Sequence, residues 1–137
     1  MNYNILTKEY VIMHGINYEH LVHECNSDRL LDKEMDEGGK LFNGLAYELN
    51  SEGILVYYGY YKDGFEEGEN VYIYPNGIIE SYATMKRGRV FGESREYYEN
   101  GNIKSITYSE YGVILNQTVW DEYGNLIYEE EAPTSRD

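Results

Sequence analysis

Three histidines and the lone cysteine fall within one short run, HGINYEHLVHEC, as His14, His20, His23 and Cys25. Imidazole and thiolate are zinc ligands, and His20-x-x-His23 has a spacing that a helical turn could use. The order HLVHE matches neither the His-Glu-x-x-His pattern of metalloproteases nor its inverse. The plainer reading is a partly buried histidine on a short amphipathic segment, and no metal is expected. Carboxylates offer a second chemistry. With 25 Asp and Glu, however, neighbouring acids need no catalytic explanation. A glycosidase needs two acids facing across a cleft, and a single sheet offers a groove without an enclosed pocket. There is no Gly-x-Ser-x-Gly run, and Gly38-Gly39-Lys40 lacks the spacing and the Ser or Thr of a phosphate-binding loop. No catalytic residue and no cofactor follow, so the chain is not expected to be an enzyme.

Charge and tyrosine remain. The formal net charge is −14, and 17 of the 137 residues are Tyr. Acidic residues outnumber basic ones 11 to 5 over 1–63, 8 to 5 over 64–111 and 6 to 1 over 112–137, so the acidity is distributed. At its plainest this keeps a protein soluble. It also repels nucleic acid and anionic lipid and attracts cationic partners. The basic run Lys86-Arg87-Gly88-Arg89 reads as a solvated connection and is a poor lipid anchor in so acidic a chain. No apolar run is long enough to span a membrane. The start MNYNILTKEYVIMHG lacks the basic beginning and the small-residue cleavage site of a signal peptide. One cysteine permits no intrachain disulfide. The cytoplasm is the expected compartment.

The elements that would position these side chains are set by glycine. Gly64, Gly88 and Gly112 are 24 apart, as are Gly44, Gly68 and Gly92, and Gly53, Gly77 and Gly101. Three phases with one period mark a repeat. The units are 40–63, 64–87, 88–111 and 112–131. The last is degenerate: Asn116 replaces a Gly and Gly124 comes one residue early, as in a capping unit. Each unit reads as a β-hairpin. Pro75-Asn76-Gly77 and Glu99-Asn100-Gly101 fit a type I turn closed by a left-handed Gly, and the Tyr, Ile and Val flanks favour strands. The expected fold is mainly all-β, a single curved antiparallel sheet of successive hairpins. Residues 1–39 do not share the period and are expected to form an N-terminal cap of short strands or a helical turn. Residues 132–137 are expected to be a disordered tail.

A turn of that type places Tyr72 opposite Glu80 and sorts the faces. Val71, Ile73, Ile79, Ser81, Ala83, Tyr57 and Ser105 are then expected on a core face. Tyr58, Tyr60, Tyr72, Tyr74, Glu80, Tyr82, Glu96 and Tyr98 are expected together on the other face. Tyrosines supply apolar area with a polar tip, as binding surfaces do. Aromatic cross-strand pairs also stabilise sheets by themselves, so the mixed Tyr/Glu face as a whole is the partner-binding candidate.

The runs Gly68-Glu-Asn-Val-Tyr-Ile-Tyr-Pro-Asn-Gly-Ile-Ile79 and Gly92-Glu-Ser-Arg-Glu-Tyr-Tyr-Glu-Asn-Gly-Asn-Ile103 resemble the bacterial variant of the MORN repeat, the membrane occupation and recognition nexus. The likeness extends over about 40–130. Unit one departs from it, with Leu49-Asn50 where the Tyr-Tyr pair would stand. The resemblance implies a sheet of hairpins and an antitoxin or immunity protein that neutralises a cognate bacterial toxin by direct binding. Many such toxins act on nucleic acid and carry basic surfaces, which an acidic, Tyr-bearing face complements. The second reading is a scaffold or membrane-associated module like the eukaryotic repeat; the net charge argues against membrane binding.

Overall fold

The computed structural model describes residues 5–25 and 27–131; the tail expected at 132–137 lies outside them. Eight strands form the four hairpins: β4 (Gly44–Leu49) with β5 (Leu55–Lys62), β6 (Phe65–Ile73) with β7 (Ile79–Lys86), β9 (Gly92–Tyr97) with β10 (Ile103–Glu110), and β11 (Val113–Trp120) with β12 (Leu126–Glu131). Together they make one continuous antiparallel meander, and the short β8 (Arg89–Val90) pairs with β7.

Two kinds of turn alternate along it. At one end Asn50–Gly53, Tyr74–Gly77, Tyr98–Gly101 and Asp121–Gly124 close with the glycine N–H donating to the first carbonyl. All four glycines have positive φ, as the sequence led one to expect. At the other end the links are the pairs Asp63-Gly64, Arg87-Gly88 and Tyr111-Gly112, with φ of 50 and 81, 48 and 80, and 50 and 83°. Both residues are left-handed, the type I′ geometry that matches strand twist. This accounts for the basic run: Arg87 sits in a tight turn between β7 and β8.

Each hairpin also holds one extra residue. Glu48 pairs with Tyr57 and Leu49 with Leu55, which leaves Val56 unpaired. Glu80, Lys104 and Ile127 are skipped in the same way. These bulges correct the expected faces. Side chains alternate along a strand, so an extra residue moves everything beyond it to the opposite side. Tyr72 stands opposite Ser81, not Glu80. Tyr57, Ser81, Ala83 and Ser105 therefore leave the expected core face, while Tyr58, Tyr60 and Tyr82 leave the expected Tyr/Glu face.

The non-periodic start covers the first hairpin on both sides. Thr7 caps α1 (Lys8–His14) by accepting the Tyr10 N–H at 3.1 Å. Val11, fully buried, packs with Leu45, Tyr47, Leu55, Tyr58, Val71 and Ile73 on one face. The chain then passes the sheet edge as β1 (Ile16–Asn17), which pairs parallel with β4. It continues on the other face through a 3-10 turn at Tyr18–His20 and the small ladder of β2 (Val22–His23) with β3 (Leu30–Leu31). There Leu30, Phe42 and Ala46 form a second cluster. Burial of each large apolar side chain contributes about 1.5–3 kcal/mol, so the driving force is concentrated at this end of the sheet.

Candidate functional site

The face opposite α1 carries Ala46, Glu48, Tyr57, Gly59, Tyr61, Asn70, Tyr72 and Glu96 by the observed register. Between this face, the N-terminal residues Tyr18 and His23, and the tight turns lies a cleft of about 800 Å³. Glycine makes room for its floor. The run Tyr57-Tyr-Gly-Tyr-Tyr61 puts Tyr57, Gly59 and Tyr61 on one side. A Cβ at Gly59 would stand 2.5 Å from the Tyr57 hydroxyl and 2.8 Å from the Asn70 amide. In its absence the Tyr57 and Tyr61 hydroxyls share a hydrogen bond of 2.7 Å. Asn70 Nδ2 donates to Tyr57 Oη at 3.1 Å and to Glu66 Oε2 at 2.6 Å. Tyr72 lies against Tyr57 with ring centroids 4.8 Å apart, and Tyr18 meets Tyr57 edge-on at 6.2 Å.

Burial governs the electrostatics. It raises the Glu66 carboxyl above the usual range, opposed by the hydrogen bond from Asn70. Burial likewise raises Tyr57, Tyr61, Tyr72 and Tyr18, and the charge of Glu66 adds to each. No ion pair to Glu66 forms among the described residues. The floor is thus a set of phenols around a poorly solvated carboxylate, with Lys86, Arg87 and Arg89 along the far wall. Lys86 lies over the Phe91 ring and Arg87 over Phe65, at 4.4 and 5.8 Å. Such a floor can accept hydrogen bonds and attract a cation over aromatic faces. His23 Nε2 lies 3.1 Å from the Tyr18 hydroxyl. No group of three or more His, Cys, Asp or Glu among the described residues is placed to hold a metal.

The eight residues grouped by sequence separate in space. Tyr58 is 0% exposed, and its hydroxyl accepts the Leu6 N–H at 2.9 Å. Tyr60 and Tyr82 pack on the same helix-covered core, and Tyr82 donates to Glu69. Glu80 is a bulge residue and exposed. Tyr74 and Tyr98 donate their hydroxyls to the carbonyls of Tyr97 and Trp120 in the next unit, each at 2.8 Å. Tyr72, 43% exposed, and Glu96 remain open on the cleft face. Sequence reasoning missed Tyr18, Tyr61 and Glu66. The Tyr-x-Gly-x-Tyr spacing was the available signal for the Tyr57–Tyr61 pair.

No family model matches the chain. It is 51% identical over 120 residues to the immunity protein YwqK of Bacillus subtilis (strain 168), an alignment spanning 88% of this chain and 78% of that protein.

Proposed function

The chain belongs to the family of immunity protein YwqK, and from that premise we propose that it neutralises a cognate toxin by binding it directly, without catalysis, through the cleft face. The four hairpins are, on this reading, MORN-variant repeats that spread this face at little cost in sequence. The carrying observation is Glu66: a carboxylate half-buried among tyrosines, held by Asn70 and without a basic partner among the described residues. A cationic side chain from a partner would relieve that charge, and Tyr72 and Glu48 extend the same surface outward. The net charge of −14 favours encounter with a basic protein, and desolvated aromatics slow its departure.

Co-expression with the product of the neighbouring reading frame tests the role. Protection from its toxicity is expected, and a toxin that still kills refutes the proposal. Titration with the purified toxin tests the face. Tyr72→Ala with Glu48→Ala should weaken the complex by about 2 kcal/mol or more, as hot-spot truncation does. Tyr108→Ala, exposed on the opposite face, should leave it unchanged. The reverse pattern would move the interface to the helix-covered side.

A further inference from the structure

The two edges of the large sheet are finished differently. At one, β1 pairs with β4 and α1 packs beside it. At the other, β12 pairs with β11 and, among the described residues, has no strand on its outer side. All six of its residues are exposed, with Leu126 at 55%, Ile127 at 57% and Tyr128 at 43%.

The turns carry the same asymmetry. In the inner units Tyr74, Asn76, Tyr98 and Asn100 reach forward and donate to carbonyls of the following unit. In the last unit Asp121 and Tyr123 occupy the corresponding places. The Asp121 carboxylate turns inward and accepts the N–H groups of Tyr123 and Asn125, each at 2.9 Å. Among the described residues, no turn donor extends the repeat beyond β12. Anything added there must be held by the strand's own backbone and side chains.

An uncovered edge strand is a template for another chain. The side chains of β12 select which. Along the strand come three apolar residues, Leu126-Ile-Tyr128, then Glu129, Glu130 and Glu131. A second copy, also antiparallel, would set its apolar Leu126–Tyr128 against Glu129–Glu131, so six glutamates would lie in one seam with no cation opposite them, between two chains of −14 each. A strand bearing cations opposite the glutamates fits instead. Every pairing from β4 to β12 is antiparallel, which sets the direction. We propose that β12 is a strand-addition site for an extended, antiparallel segment of the partner, basic in its first half and apolar in its second. The identity of that partner as the toxin rests on the reading above, and the contact is separate from the cleft.

The test uses the full chain and a synthetic peptide in which three lysines precede tyrosine, valine and leucine. Amide hydrogen exchange across Leu126–Glu131 should slow at least tenfold with this peptide and not with one of reversed order. Glu129→Lys, Glu130→Lys and Glu131→Lys together should shift the preference to a peptide with glutamates in place of the lysines. Unprotected β12 amides overturn the proposal. So does a dimer of the chain alone with β12 already protected, since the occupant would then be a second copy. With the toxin, the triple variant should bind at least tenfold more weakly; unchanged inhibition by that variant also overturns it. Failure of the native chain to inhibit the toxin refutes the immunity reading, while the peptide arm still decides the edge.

Discussion

At the scale of single residues, what separates one tyrosine from the next is where its hydroxyl goes. Tyr74 and Tyr98 tie neighbouring units, whereas the Tyr97 hydroxyl is buried and meets no partner among the described residues. A made hydrogen bond contributes about 0.5–1.5 kcal/mol net, and a buried unpaired group costs stability. Tyr74→Phe and Tyr98→Phe should therefore each lower stability by about 1 kcal/mol, and Tyr97→Phe should be neutral or stabilising. Urea midpoints of the three variants decide this. The tyrosines stand out in the sequence, but not these partners, which lie 22 and 23 residues along the chain. Glu66 adds a pH signature. Its folded pKa is raised by burial, so the folded state keeps the proton to higher pH than the unfolded chain. The stability from this group is present below the ordinary glutamate value of about 4.3 and is lost as pH rises through the raised one. Glu66→Gln removes that loss and keeps an oxygen for Asn70. The variant should be more stable than its parent at neutral pH, with the gap closing on acidification. If the gap is the same at every pH, the carboxyl is not strained by burial. Weaker toxin binding by this variant would mark the strain as serving function.

Among the elements, the turns were legible and the bulges were not. Glycine at fixed intervals announces positive φ, and both ends of the meander follow it. A bulge adds one residue to one strand of every unit, so the 24-residue period absorbs it without trace. The strand parity does not, and three of the eight residues of the expected binding face, Tyr58, Tyr60 and Tyr82, moved to the core for that reason. The turns themselves differ in what surrounds them. At Gly77, φ is +91° and a Cβ would meet nothing within 4 Å. At Gly64, φ is +81° and a Cβ would lie 2.9 Å from the Leu30 nitrogen and from Arg29 Cβ. The Gly64 N–H and carbonyl also bond Phe42 and Leu30. Gly77→Ala should cost only the left-handed penalty, about 1–2 kcal/mol. Gly64→Ala must in addition push back the backbone at Leu30, and at least twice the loss is expected. Equal midpoints in urea would show that the first hairpin yields at this contact.

The whole molecule is a repeat sheet with its core at one end. Both buried clusters sit on the first two hairpins, packed by the non-periodic residues before β4. The absence of the 24-residue period marked this start as lying outside the repeat. That it passes the edge and covers both faces depends on pairings such as Leu6 with Tyr58 and Leu30 with Gly64, more than thirty residues apart. The far end has no such cover among the described residues, and β12 is exposed throughout. Repeat arrays are stabilised unit by unit and through their interfaces, so protection should follow cover. Native-state hydrogen exchange is expected to be slowest in β4–β6 and faster by on the order of tenfold or more in β12. Addition of a basic strand at that edge should flatten the gradient from the open end. A sheet uniformly protected when alone would mean that it opens as one unit and that its last strand is already guarded. The open edge would then have no part in recognition, which would rest on the cleft face alone.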